Sequence, residues 1–180
     1  MAWTAPMTAV AGSVFTAAQF NTHIRDNLNE TAAAKATTAG GYFVSTGTNS
    51  LAERFLTSDI VETSETTMST AYTDLTTVGP TVTAMTGSGA LIIVTSDITN
   101  DTAGQSGRMT FDVSGATTTA ASDVRALRVT IPDVGSPGNI RASVVTSLAV
   151  NAGSNTFTAK YRASGGTASF ANRRITVMPF

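Results

Sequence analysis

From about residue 58 onward the apolar residues recur with a period of two, which restricts most of this chain to half-buried β-strands. Met109, Phe111 and Val113 fall on one side, with Arg108, Thr110 and Asp112 on the other. Phe157, Ala159 and Tyr161 alternate with Thr158, Lys160 and Arg162, and Ile175 and Val177 alternate with Thr176 and Met178. The unbroken apolar run at 90–94, ALIIV, predicts a strand buried on both faces. Turn residues punctuate these stretches at Gly87-Ser88-Gly89, Asn100-Asp101-Thr102-Ala103-Gly104, Gly135-Ser136-Pro137-Gly138, Asn151-Ala152-Gly153 and Gly165-Gly166. The spacing predicts roughly eight or nine strands in an antiparallel β-sandwich of jelly-roll type, a mainly β fold. Abundant Thr suits it, because a β-branched side chain favours a pleated, half-exposed surface.

The first third reads differently. Residues 1–14 form an arm with no helical period, carrying Trp3, the single Trp. So large an apolar ring is expected to dock on a neighbouring surface. A helix then starts with a capping box, Thr16 and Gln19, bracketed by Phe15 and Phe20 at the positions of a hydrophobic staple. Phe20, Ile24 and Leu28 follow at four-residue spacing, a narrow apolar stripe on an otherwise polar helix. So thin a stripe calls for another helix or for copies of itself about a symmetry axis. Residues 32–34 can extend this helix, and Gly40-Gly41 ends it. Residues 41–56 read as a small hairpin turning at Thr46-Gly47-Thr48-Asn49, and 57–70 as a polar linker entering the first strand near Val61. The expected organisation is an arm and anchoring helix at 1–35, a neck at 36–57 and the β-domain at 58–180.

Composition excludes several functions. Charged residues make up 13% of the 180 residues, against about 25% in ordinary soluble domains, which points to surfaces covered by partners. A net charge of −1 gives no basis for binding nucleic acid. The adjacent basic pair Arg173 and Arg174 reads as exposed at a strand edge. No run approaches the roughly 20 apolar residues of a membrane span. The start lacks the pattern of a secretory signal, so synthesis and use without export are expected. The absence of Cys removes thiol chemistry and Cys-ligated metals.

Catalytic groups are sparse. His23, the single His, lies on the polar side of the anchoring helix, and no G-x-S-x-G elbow accompanies it. Carboxylates in the β-domain (Glu62, Glu65, Asp74, Asp97, Asp101, Asp112, Asp123 and Asp133) could in principle pair for glycoside hydrolysis, but most sit in turn contexts. Asp97 and Asp101 could flank a calcium ion, yet the calcium-loop pattern is missing. Asn29-Glu30-Thr31 and Asn100-Asp101-Thr102 match the glycosylation sequon, which carries no weight without a secretory signal. No catalytic residue, cofactor or metal is expected. The residues assigned to anchoring and oligomerisation are Trp3, Phe15, Phe20, Ile24 and Leu28.

The opening pattern (Trp3, Gly12, Val14 and the segment TAAQFNTHIRDNL at 16–28) resembles the N-terminus of small virion structural proteins of actinobacterial tailed bacteriophages. The segments AKATTAGGYFVSTGTNSLAERF, YTDLTTVGP, VSGATT, NTFTAKYR and NRRITVMP are similar to the same group. That resemblance implies a virion protein assembled in the host cytoplasm, a homotrimer with a jelly-roll domain, and contacts with tail or major capsid proteins. Within it, a tail-fibre or tail-tip component that binds the host surface is the first expectation. A capsid decoration or head-fibre protein is the alternative. A carbohydrate-binding module stacking Tyr42, Tyr72 or Tyr161 on a sugar ring is a third, although Tyr161 continues an inward stripe. Neither nucleic acid nor membrane is an expected partner.

Overall fold

The computed structural model describes residues 3–132 and 140–180; Asp133 and the expected turn at Gly135-Ser136-Pro137-Gly138 lie outside them. The chain divides into two compact units, the first running to Phe55 and the second spanning Leu56–Pro179. The helix and the hairpin, read separately in the sequence, fall within the first unit, and the second begins at Leu56.

In the first unit, α1 (Ala17–Phe20) opens behind the expected box: Gln19 N–H donates to Thr16 Oγ1 at 3.2 Å, and Thr16 N–H donates to Gln19 Oε1 at 2.9 Å. The Phe15 and Phe20 rings meet edge-on at 6.2 Å, which completes the staple. The helix widens into a π-helical segment, Asn21–Arg25, and returns to α2 (Asp26–Leu28). It does not run on through 32–34. The chain turns after Leu28, and Thr31 caps a separate turn, α3 (Ala32–Lys35), with its own hydroxyl. A fresh N-cap Thr explains the break, because its side chain takes an amide that a continuous helix would bond itself. The hairpin β1 (Tyr42–Gly47) and β2 (Ser50–Arg54) turns where Asn49 adopts φ +56°, a conformation Asn tolerates.

The second unit is a two-layer sandwich. Its strands are β3 (Thr57–Val61), β4 (Glu65–Thr67), β5 (Thr81–Thr86), β6 (Gly89–Asn100), β7 (Ser106–Gly115), β8 (Leu127–Thr130), β9 (Ile140–Ala149), β10 (Gly153–Ala163) and β11 (Ala168–Pro179). One sheet has the order β5-β10-β7-β8; the other has β3-β11-β6-β9, with β4 also on β11. All pairings are antiparallel. The outermost strands in sequence pair with each other (β3 with β11, β5 with β10, β6 with β9) and the innermost, β7 and β8, form a hairpin. This is a long hairpin folded over itself, the wrapping of a jelly roll. The stretch 57–70, expected as linker, supplies β3 and β4, because β11 is long enough to pair with both.

The core lies between the layers. Phe111, Phe157, Tyr161, Phe170, Met109, Ile92, Ile98 and Ile175 are fully buried there, and Met109, Phe111, Phe157, Tyr161 and Ile175 face the side the alternation assigned. Two readings need correction. The run at 90–94 is buried on one face only: Ala90, Ile92 and Val94 enter the core, while Leu91 and Ile93 stay half-buried on the outer face of the sheet. Arg173 and Arg174 are not an exposed edge pair. β11 is an inner strand, and an irregularity between Ala171 and Arg174, with Asn172 at φ +48°, shifts the alternation by one residue. The shift turns Arg173 inward, where its exposure is 0%, and leaves Arg174 outside.

Candidate assembly site

The five anchoring residues all lie in the first unit, and all are exposed. Phe20, Ile24 and Leu28 are 48%, 38% and 60% exposed along one side of the helix, and Phe15 continues the stripe at the helix entrance. The π segment sits in the middle of this stripe. Its wider turn suits four-residue spacing better than an α-helix does, so the three side chains stay aligned instead of drifting round the axis.

The chain's own arm lies along the flank of the helix next to this stripe, on His23 and Asn27. Thr4 N–H donates to Asn27 Oδ1 at 2.8 Å, and Asn27 Nδ2 donates to the Thr4 carbonyl at 2.9 Å and to the His23 carbonyl at 3.0 Å. His23 Nδ1 lies 3.2 Å from the Ala5 carbonyl, an acceptor that calls for a proton on that nitrogen. The Trp3 amide donates to the Asn49 carbonyl of the hairpin turn at 3.0 Å. Trp3 therefore docks by its backbone within its own chain, while the residue remains 40% exposed, on a surface cavity of about 240 Å³ lined also by Glu30, Ser45 and Leu51. Asn27 escaped the sequence reading as one more polar residue of the helix. The available signal was its position: Asn is poorly suited to a helix and is buried only where its amide is bonded on both sides.

Six of the β-domain carboxylates, Glu65, Asp74, Asp97, Asp101, Asp112 and Asp123, are engaged within the fold. Asp123 accepts from Tyr72 Oη at 2.6 Å and from Arg162 Nε at 3.1 Å, and it also pairs with Arg108. Arg108 and Arg162 lie directly opposite each other on β7 and β10, a like-charge pair that costs stability unless an anion sits between them. Asp123 supplies that anion. Arg162 and then Tyr72 hold its carboxyl below the ordinary range, while burial, followed by the Asp123 bond, pushes the Tyr72 phenol up to about 12. Lys160 lies 2.7 Å from Asp74 and 3.4 Å from Asp112. Asp97 accepts from Asn172 at 2.6 Å, and Asp101 from the Thr167 amide at 2.8 Å. Among the described residues no group of acidic or His side chains is placed to hold a metal ion.

The tyrosines offer little as sugar platforms. Arg162 stacks on Tyr72 at 5.3 Å, and Tyr161 is buried, donating to the Gly79 carbonyl at 2.7 Å. Tyr42 is half-buried in the hairpin. No helix among the described residues is long and apolar enough to cross a membrane.

No protein-family model and no curated protein matches the chain. Among solved structures, dimeric latent PorU from Porphyromonas gingivalis aligns at 12% identity and TM-score 0.39, over 66% of this chain and 13% of that one. The C-terminal CBM6 of LamC, a laminarinase from Zobellia galactanivorans, aligns at 15% identity and TM-score 0.33, over 67% of this chain and 98% of the module. A carbohydrate-binding module of Cellvibrio mixtus lichenase 5A, solved with cellotriose, aligns at 13% identity and TM-score 0.31, over 83% and 94%. Likenesses this distant do not bear on activity.

Proposed function

We propose that this chain is a non-enzymatic structural protein of a tailed-bacteriophage virion, a homotrimer attached to the particle through residues 1–35, in the tail fibre or tail tip. The observation that carries the reading is the uncovered stripe of Phe20, Ile24 and Leu28 on a helix whose neighbouring flank is already taken by the arm. An isolated helix this short is unstable in water and draws its stability from packing an apolar side. Copies of the helix about an axis supply that packing without any further component. The N-terminal motif resemblance supplies the setting, and the engaged carboxylates of the β-domain are consistent with a framework rather than a reactive site. The β-domain presents itself to the host surface, with a cell-wall glycan as its proposed ligand.

Mass measurement by light scattering tests the oligomer, and cryo-EM of intact particles tests the place. A trimer whose residues 1–35 contact a tail-tip or baseplate protein supports the proposal. Contact with the major capsid protein replaces it with a decoration or head-fibre role. A monomer at all concentrations, or absence from particles, overturns it. Calorimetry with host wall glycans tests the ligand.

A further inference from the structure

Arg162, Arg108 and Arg128 stand in one row across β10, β7 and β8, each directly opposite the next in antiparallel register. Their side chains lie on the outer face of the sheet, because the alternating residues Tyr161, Met109, Leu127 and Val129 fill the core. Asp123 answers the first pair only. Its Oδ1 accepts from Tyr72 Oη and Arg162 Nε, and its Oδ2 from one terminal nitrogen each of Arg108 and Arg162. A carboxylate has about four acceptor sites, so Asp123 has none left for a third arginine.

The second pair, Arg108 with Arg128, has no such answer. Arg128 is exposed on β8, the edge strand of this sheet, and among the described residues it makes no hydrogen bond or ion pair. Arg108 spends Nε on Ser106 Oγ at 3.3 Å and Nη1 on Asp123, which leaves Nη2 unused. The other carboxylates of this face are committed elsewhere. Asp112, roughly 13 Å along β7 from Arg108, pairs with Lys160, and so does Asp74. Like charges directly opposite on neighbouring strands cost stability unless an anion joins them. The exposed arginine of the other sheet is placed differently. Arg174 has Ile60 and Thr95 as its cross-strand neighbours, so no cation repels it.

We infer that the gap between Arg108 and Arg128 binds a carboxylate carried by an acidic sugar of a host-surface glycan. The fold supplies the template: the Asp123 carboxylate already joins Arg108 to Arg162, one strand away on the other side of Arg108. A guanidinium fork takes a planar carboxylate through two parallel hydrogen bonds, and Arg128 has its whole fork to give. Thr130, exposed two residues along the same face of β8, offers a hydroxyl to the ring that carries the carboxylate. The inference rests on the glycan ligand proposed above and narrows it to a uronate.

Oligogalacturonate, a chain of carboxylated sugars, is titrated into the full-length protein by calorimetry. A neutral galactose oligomer of the same length and inorganic phosphate are titrated beside it. Oligogalacturonate binds at least about tenfold more tightly than either. Arg128→Gln weakens it at least about tenfold, as loss of a charged hydrogen-bonding partner requires, while Arg174→Gln leaves it unchanged. The Nε–H resonances of Arg108 and Arg128 shift during the titration, and that of Arg174 does not. Equal affinity for the acidic and neutral oligomers, or an unchanged affinity in Arg128→Gln, overturns the inference. Phosphate binding more tightly than the uronate overturns the choice of carboxylate. Host wall glycans that bind where oligogalacturonate does not defeat this site alone, whereas no binding by any glycan defeats the proposed ligand with it.

Discussion

The guanidinium carbon of Arg173 lies 5.4 Å from the centre of the Tyr161 ring, and both side chains are fully buried between the two sheets. Arg173 Nη1 reaches toward the Thr77 carbonyl at 3.5 Å and Glu65 at 3.7 Å, and Nη2 donates to Thr63 Oγ1 at 3.3 Å. One buried cation thus ties the 63–77 segment to β10 and β11. Arg173→Ala removes the cation and leaves Glu65 and the ring without it, a change that costs about 3 kcal/mol. Arg174→Ala, one residue away and exposed, changes stability by less than about 0.5 kcal/mol. Urea unfolding of the two variants measures the contrast; equal losses would falsify the inward placement.

Asn27→Ala deletes the two hydrogen bonds that hold the arm to the helix and a third within the helix, to the His23 carbonyl. The Thr4 amide and carbonyl lose their partner, at a local cost of about 1–3 kcal/mol. Hydrogen exchange at the Thr4 amide accelerates and the arm becomes open to protease, while exchange in β6, β7, β10 and β11 stays as it was. Unaltered protection of Thr4 speaks against the latch.

Thr16→Ala abolishes the capping box and costs about 1 kcal/mol of local helix stability. Thr16→Ser retains the hydroxyl and restores most of it. Exchange rates of the first-turn amides follow the loss, and identical rates in both variants dismiss the cap as a stabilising element.

Phe20→Asp combined with Ile24→Asp places charge on the exposed stripe. On the proposed assembly, the double variant dissociates at concentrations where the proposed wild-type oligomer holds together, and it fails to join the particles to which the proposal assigns the chain. The β-domain keeps its circular-dichroism signature, because its core lies in the other unit. An intact oligomer removes the stripe from the interface.

The Asp123 cluster links stability to pH in two windows. The folded carboxyl has a depressed pKa, so its contribution is present above the unfolded value, near 3.9, and disappears as pH falls through the folded one. The Tyr72 phenol has a raised pKa of about 12, so its contribution is present below the unfolded value, near 10, and disappears as pH rises toward 12. Tyr72→Phe therefore flattens the alkaline limb of a stability profile. Asp123→Asn flattens the acid limb and lowers stability at neutral pH, because Arg108 and Arg162 then face each other without an anion. A neutral-pH stability equal to wild type in Asp123→Asn contradicts the bridging role.

Local pattern by itself determined the two periodicities. Met109-Phe111-Val113 and Phe157-Ala159-Tyr161 face the core because a strand alternates sides at every residue, whatever it pairs with. Thr16 with Gln19, and Phe15 with Phe20, mark the helix start because those contacts close within five residues. Only the tertiary structure decided what depends on distant partners. The inward turn of Arg173 follows from one irregular residue, Asn172, where β11 meets β6. The joining of Arg108, Arg162, Tyr72 and Asp123 depends on strand register and a crossing segment. The one-sided burial of ALIIV follows from the layer count. Long-range pairing sets these features, and no short window of residues contains it.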